Sequence, residues 1–582
     1  MKARLSLWAL LTPNLVDSLI SRTATRDTFS LQCNRHVLSA SSKKDEDDAG
    51  DEDWRDFRAK LVMGEKVESS AATATSDPSE PWAYDAGDVI EKGSIILSSL
   101  EQAFGHGLNQ QYFHKSVILV LEHEDNVFTK GIILNRPTDL YLSDADFEFK
   151  DRSRPPRKEK KEKWRVWFGG DVQWISSDRP ELVCLHSLQS DAAREASQSV
   201  LKDHVVQYTT MEKAYDLIEA GEAEVGDFYL CGGYCGWGPG QLQGELERKS
   251  WHMVATDAQT VWEELKARQE ESGDITGEST WKRLMERIGR GDETKASDYD
   301  KEFDNQMLRV WAEANLVFQK DDKKDDIVSQ LLKTPPDIGP GTLLRASSNS
   351  ESPFLLNEQG FHQSIILISQ DEEDFTVGLL LNRPWARTVE LDFPGDDRSV
   401  SIAARFGGRY ELKGMPKKSS FWFHCNDQLK SAKIGSPLKD ADGIWKCGEK
   451  QVRAAIRDGI AGEKDFMCVK GLNIWPKIKG YGSSLMTNIQ VGHYDIVPSS
   501  RTRDVWKALV SQDKLSKMTI DRNIMLGKAA WLAAGGKENT NAGSEEADQQ
   551  KLAEEALKRW MALFLLDDPF LQGSSEEEPA FE

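Results

Sequence analysis

The sequence predicts an α/β (α+β) protein built twice over, with two similar domains in one chain of 582 residues. Three observations predict it. Phe113–Pro137, FHKSVILVLEHEDNVFTKGIILNRP, returns at Phe361–Pro384 as FHQSIILISQDEEDFTVGLLLNRP, and with Val127 left out thirteen of the twenty-four aligned positions are identical. From Phe168 and Phe406 onward the two copies then align for seventy residues without a gap. Within each copy, unbroken aliphatic runs such as Val117–Leu121 suit buried strands, while Glu212–Gly221 and Lys450–Gly459 read as helices that stop on a glycine. Self-similarity at this spacing marks duplicated structural units.

In chain order, residues 1–42 are basic, rich in Ser and Thr and poor in acids, the composition of an organellar transit peptide. A disordered N-terminus, or a secretory apolar region at Leu5–Leu11, is the alternative. Residues 43–88 turn acidic and then Ser/Ala/Thr-rich, which predicts a linker that cannot bury enough surface to order. The first domain is expected over 89–290, opening with KGSIILSS, and PGTLLRAS opens its counterpart over 336–512. Val117–Leu121 and Gly131–Leu134 predict a β-hairpin broken by EHEDN, with Pro137 ending the second strand.

The segment 150–165, within RSRPPRKEKKEKWR, is a basic insertion. Nine residues of it have no counterpart, because the offset between copies falls from 247 to 238, and a tolerated surface loop explains it better than a docking site. Helices are expected at Thr280–Gly289 and at Glu302–Phe318, the latter in a helical linker over 291–335. Residues 513–582 are expected to hold C-terminal helices and an acidic tail. Within them Ala547–Leu566 is amphipathic, with Glu554–Lys558 and Glu555–Arg559 spaced as ion pairs.

The formal charge of −22 disfavours phosphate backbones as partners, so nucleic acid is an unexpected ligand except through Arg152–Arg165. No apolar run is long enough for a bilayer crossing. Seven scattered cysteines read as packed thiols rather than a disulfide framework. Cys231-x3-Cys235 and Cys184-x-His186 lack a second ligand pair at zinc spacing, and no cofactor motif is complete around Gly232–Gly240, so no metal or cofactor is expected.

Two functional readings stay open. In one, His114, Asn135, Arg136, His186 and the Gly169-Gly170 turn surround a cleft and act on a small anionic or nucleotide substrate as a hydrolase. In the other, these residues cap and turn the chain. A non-enzymatic binding surface then lies at Tyr234, Trp237, Gly238, Pro239, Gly240 and Gln241. The second copy has Lys477 in place of Pro239, and its helix start there is lost or rebuilt.

The order of KGSIILSS, FHKSVILVLEH, GIILNRP, FGGDVQ, LHS, GYCGWGPGQLQGEL and SWHMV resembles the AlgH-like (YqgE/AlgH) family. The resemblance implies a largely antiparallel, strongly bent sheet forming a pseudo-barrel flanked by helices. It implies no settled enzymatic activity and, through one bacterial relative, a link to control of gene expression. Larger plant and algal relatives often carry plastid addresses, which makes a plastid the expected location, with mitochondrion or cytoplasm as alternatives.

Overall fold

The computed structural model describes residues 81–566 except 101–109, 144–162, 176–179, 202–203, 271–272, 296–298, 319–336, 348–357, 394–395, 411–419, 479–481 and 539–544, together with Arg58. The expected transit peptide, the start of the linker, most of the basic insertion and the acidic tail lie outside the described residues. The chain falls into two compact units that divide at Asp322.

The first unit contains strands β1 (Ala83–Gly87), β2 (Ile95–Ser98), β3 (Val117–Glu124), β4 (Phe128–Ile133), β5 (Pro137–Ser143) and β6 (Lys163–Phe168). They are followed by β7 (Leu182–His186), β8 (Gln198–Ser199), β9 (Gln207–Thr210), β10 (Tyr229–Gly232), β11 (Cys235–Trp237) and β12 (Trp251–Thr256). Its helices are α1 (Asp191–Ala196), α2 (Met211–Glu219), α3 (Gln241–Glu247), α4 (Ala258–Glu270), α5 (Glu278–Arg287) and α6 (Tyr299–Asn315). The strands form two six-stranded sheets, β1-β12-β2-β3-β4-β11 and β5-β6-β10-β7-β9-β8, antiparallel except for the pair β6 and β10. The expected largely antiparallel sheets flanked by helices are present, and neither sheet closes into a barrel, because each keeps two edge strands.

The main core lies between these sheets and under α4 and α5, where Leu97, Leu119, Trp167, Leu185, Val261 and Trp281 meet. The far face of the second sheet packs Val166, Cys184 and Leu230 against Leu217 and Ile218 of α2. Alternation along β7 sends Val183 and Leu185 to one layer and Cys184 to the other.

The hairpin forms as expected, with Asn126 at φ +57° in its turn. Pro137 does not end β4. It opens β5, where its missing N–H costs no ladder bond. The linker expected to reach residue 88 gives way at Ala83 to β1, which pairs with β12 and buries Tyr84. Lys163–Arg165, at the end of the expected insertion, belong to β6.

The second unit contains β13 (Leu343–Ala346), β14 (Ile365–Asp371), β15 (Phe375–Leu380), β16 (Pro384–Phe393), β17 (Asp396–Phe406) and β18 (Ser420–His424). They are followed by β19 (Ser436–Pro437), β20 (Trp445–Cys447), β21 (Phe466–Lys470), β22 (Asn473–Ile478), β23 (Gly482–Ser483) and β24 (Tyr494–Ile496). Its helices are α7 (Asp427–Ser431), α8 (Glu449–Arg457), α9 (Ser484–Gln490), α10 (Thr502–Val510), α11 (Ile520–Ala533) and α12 (Glu545–Phe564). Its sheets run β23-β22-β15-β14-β13-β24 and β16-β17-β21-β18-β20-β19, so strand for strand the order repeats that of the first unit apart from the edge strands β1 and β23.

The repetition extends past the similar sequence. Trp281 of α5 donates its indole N–H to Ser98 O at 2.9 Å, and Trp531 of α11 donates to the matching Ala346 O at 2.6 Å. Trp311 of α6 lies edge-on to Phe168 at 5.0 Å, and Trp560 of α12 lies edge-on to Phe406 at 5.6 Å. The chain after α6 gives Leu316 O to Asp139 N, and the chain after α12 gives Leu565 O to Ala386 N. The helix expected in the linker is therefore packed on the first unit, and α12 has the same place in the second. In α12 the Glu555–Arg559 pair forms, but Glu554 reaches Lys528 and Lys558 reaches Asp521.

Candidate functional site

Asn135 and Arg136 sit where β4 turns toward the second sheet, and both are fully buried. Asn135 accepts from Val117 N at 3.0 Å and donates to Lys115 O at 2.9 Å and Gly277 O at 2.8 Å. The Arg136 guanidinium donates to Tyr112 O, His114 O, Asn135 O and Thr276 O. Burial pulls it down to about 9, which still leaves it charged at neutral pH. A buried guanidinium that donates to four main-chain carbonyls holds the chain together at this corner. His114 is close by, with its Nε2 2.9 Å from Asn305 Oδ1 of α6, and burial lowers it to about 4.

His186 is not part of this group. Its place at the end of β7 puts it beside Phe228, 5.4 Å between rings, on the α2 side of the second sheet. Leu188 N donates to its Nδ1, which leaves the proton on Nε2 for Ser197 Oγ at 2.7 Å. The cleft expected to gather His114, Arg136 and His186 is corrected here, because strand alternation sends the last of them to another layer. Gly169 and Gly170 face their own chain. A Cβ on Gly170 (φ +155°) would lie 2.2 Å from Tyr234 C, so the glycines admit backbone from the same unit rather than a ligand.

The Gly-rich loop behaves differently. Trp237 is buried, and its indole N–H and that of Trp251 both donate to Glu245 Oε2, at 2.9 and 2.7 Å. Gln241 accepts from Gly238 N at 3.1 Å and donates to Glu245 Oε1 at 3.0 Å. Gly240 (φ +68°) starts α3. Trp237, Gln241 and Glu245 thus hold the loop's shape from below. Above them a cleft of about 140 Å³ opens between Gly238–Gly240, Leu242 and Gln243 on one side and His123–Thr129 of the hairpin end on the other. His123 is 2.8 Å from Thr129 Oγ1 and 3.0 Å from Asp125 Oδ1.

Tyr234 belongs to a second polar group on the first unit. Lys130 lies over its ring at 4.8 Å and pairs with Glu181, while Tyr208 OH is 2.8 Å from Glu122 and 2.6 Å from Gln198. The matching positions of the second unit are Val377, Leu472, Lys446 and Gln370 for Lys130, Tyr234, Tyr208 and Glu122, so that cluster is not repeated.

Sequence reading missed the hairpin end as a wall of the cleft. The Lys477 substitution was the one signal pointing to it. In the second unit β22 continues past Trp475, and the Lys477 ammonium donates to Glu372 O at 2.6 Å and pairs with Asp371 at 2.9 Å. The helix start lost there is rebuilt on Ser483, whose hydroxyl accepts from Met486 N.

The six described cysteines are free, and burial pushes the Cys231 and Cys447 thiols up to about 12. Among the described residues no group of His, Cys, Asp and Glu could hold a metal ion, and no helix is long and apolar enough to cross a membrane.

The AlgH-like family model (DUF179) matches residues 103–291. A UPF0301 protein of Burkholderia cenocepacia is 31% identical over 159 residues, which cover 26% of this chain and 72% of that protein. A UPF0301 protein of Chlamydia caviae is 27% identical over 202 residues, covering 34% of this chain and 88% of its own length. Among solved structures, that of the AlgH protein from Pseudomonas aeruginosa is 20% identical, with a TM-score of 0.25 over 36% of this chain and 95% of that one. With the motifs of the first unit inside the matched span, the chain belongs to the AlgH-like family.

Proposed function

We propose that this protein is a non-enzymatic binding module whose first unit carries the working site. That site is the cleft between the hairpin end and Gly238–Leu242. The observation that carries the reading is the contrast at matching positions, an open cleft beside Pro239 and a lysine seated on Asp371 in its place. Supporting it, Asn135, Arg136 and His186 are committed to internal hydrogen bonds. A regulatory role, including in gene expression, and a plastid address in residues 1–42 belong to the same proposal. Family resemblance supports the first, and composition together with that resemblance supports the second.

Asp125→Lys and Gln243→Arg alter the rim without touching the Glu245 network. Each is expected to reduce capture of a partner from organelle extract by tenfold or more, with an unchanged circular-dichroism melt. Capture equal to that of the unsubstituted chain would sink the site.

A further inference from the structure

We propose that the first unit's cleft recognises an alkylammonium group, the chemistry shared by a lysine side chain and a polyamine. The inference rests on the binding reading above and adds the class of ligand.

The second unit supplies the argument. Thr376 pairs with Trp475 across β15 and β22 as Thr129 pairs with Trp237 across β4 and β11, which fixes Lys477 as the counterpart of Pro239. Asp371 stands opposite Thr376 as His123 stands opposite Thr129, so Glu372 matches Glu124. The acceptors that hold the Lys477 ammonium are therefore the second unit's versions of two residues that line the first unit's cleft. One copy of the fold shows the hairpin end bound to an ammonium from its own chain. In the other copy proline replaces that lysine and the space beside it is open.

The lining fits the same chemistry. Its described residues include Glu124 and Asp125 and no lysine or arginine, and His123 is turned to Thr129 and Asp125. Ile90, Val127, Phe128 and Leu242 provide apolar surface for an alkyl stem, and the Phe128 ring is of the kind that attracts a cation over its face. The volume of about 140 Å³ equals that of about five waters, enough for an ammonium with a short chain. The formal charge of −22 also favours arrival of a cation.

The test is calorimetric titration of the full chain with n-butylammonium and with spermidine, using n-butanol as the neutral control. Salt-sensitive binding at one site is expected, weakened about fivefold or more by Glu124→Gln with Asp125→Asn, both exposed positions whose replacement leaves the fold alone. Pro239→Lys is expected to set a tethered ammonium against the hairpin end, as Lys477 does in the second unit, and to abolish amine binding. A preference for spermidine assigns the polyamine source. Equal affinity for the two amines, with binding of a lysine peptide that its acetylated form lacks, assigns the side chain. Binding of butanol as tight as that of butylammonium, or amine binding unchanged in Pro239→Lys, overturns the inference. If Asp125→Lys abolishes partner capture while no amine binds, the ammonium assignment fails and the binding reading stands. If neither effect appears, both fail.

Discussion

Arg136 of the first unit gives its guanidinium to four main-chain carbonyls, and Arg383 of the second gives its own to Gly360 O, His362 O and Asn382 O. Asn382 repeats Asn135, accepting from Ile365 N and donating to Gln363 O and Gly527 O. Beyond the paired tryptophans Trp237 and Trp475 the units part. One chain leaves the sheet at Gly238, and the other continues it and lays a lysine across the hairpin end. The lesson is energetic. A corner whose donors and acceptors are buried cannot lose a member without stranding the rest, whereas a loop at the rim can change with little cost to folding.

The largest way to break this symmetry is at the double glycines. Gly170→Ala and Gly408→Ala each drive a Cβ to 2.2 Å from backbone carbon of Tyr234 or Leu472. Each is expected to cost more than about 4 kcal/mol in urea unfolding. A mild loss in only one unit would mean that unit has slack the other lacks. Arg136→Met and Arg383→Met come next, at roughly 3–5 kcal/mol apiece, because several buried carbonyls lose their donor at once. Intrinsic tryptophan fluorescence during denaturation measures both. Equal losses would confirm one shared role, and a small loss at Arg136 would reopen it as a ligand-binding group.

The smallest expected effect concerns acid. Burial holds His114 at about 4 and His362 at about 3, below the ordinary 6.5. The unfolded chain therefore takes up these protons first, and stability is complete above about pH 6.5 and falls as pH drops toward the folded values. His114 keeps Asn305 as a partner while His362 Nε2 has none among the described residues. His362→Leu is thus expected to reduce the acid sensitivity of the unfolding free energy, by about 1–3 kcal/mol at pH 5 relative to pH 7.5, with no rise in cost at neutral pH. An unchanged slope would place that sensitivity elsewhere.

Much of the fold was legible because the chain states it twice. Val117–Leu121, the FGG turns and the helix at Met211–Glu219 all carry local patterns that survive duplication. The sites were harder to read. Spacing along the chain could not tell that His186 points to the opposite layer from Leu185, since that depends on which face of β7 the core occupies. The i,i+4 reading of Glu554 and Lys558 failed because α11 brings Lys528 and Asp521 within reach, and no sequence window contains those neighbours. The hairpin end read only as a break between two strands, and its part in the cleft shows through the second unit, where Lys477 reaches Asp371 and Glu372 O.

Trp560 fits over the second unit because Gly360 stands where the first has Tyr112, and a Cβ there would come within 2.8 Å of the indole. Such local compensation is what descent leaves behind when an inherited contact is kept and its surroundings drift. Because α6 and α12 make the same contacts at the same places, each unit is completed by a helix that follows its two sheets. The span recognised by the family model ends at residue 291, before α6 begins, so the structural unit repeated in this chain is longer than that span. Dissection into halves should accordingly cut after Leu316 and keep Leu565, or each half would lose the cover over Phe168 or Phe406.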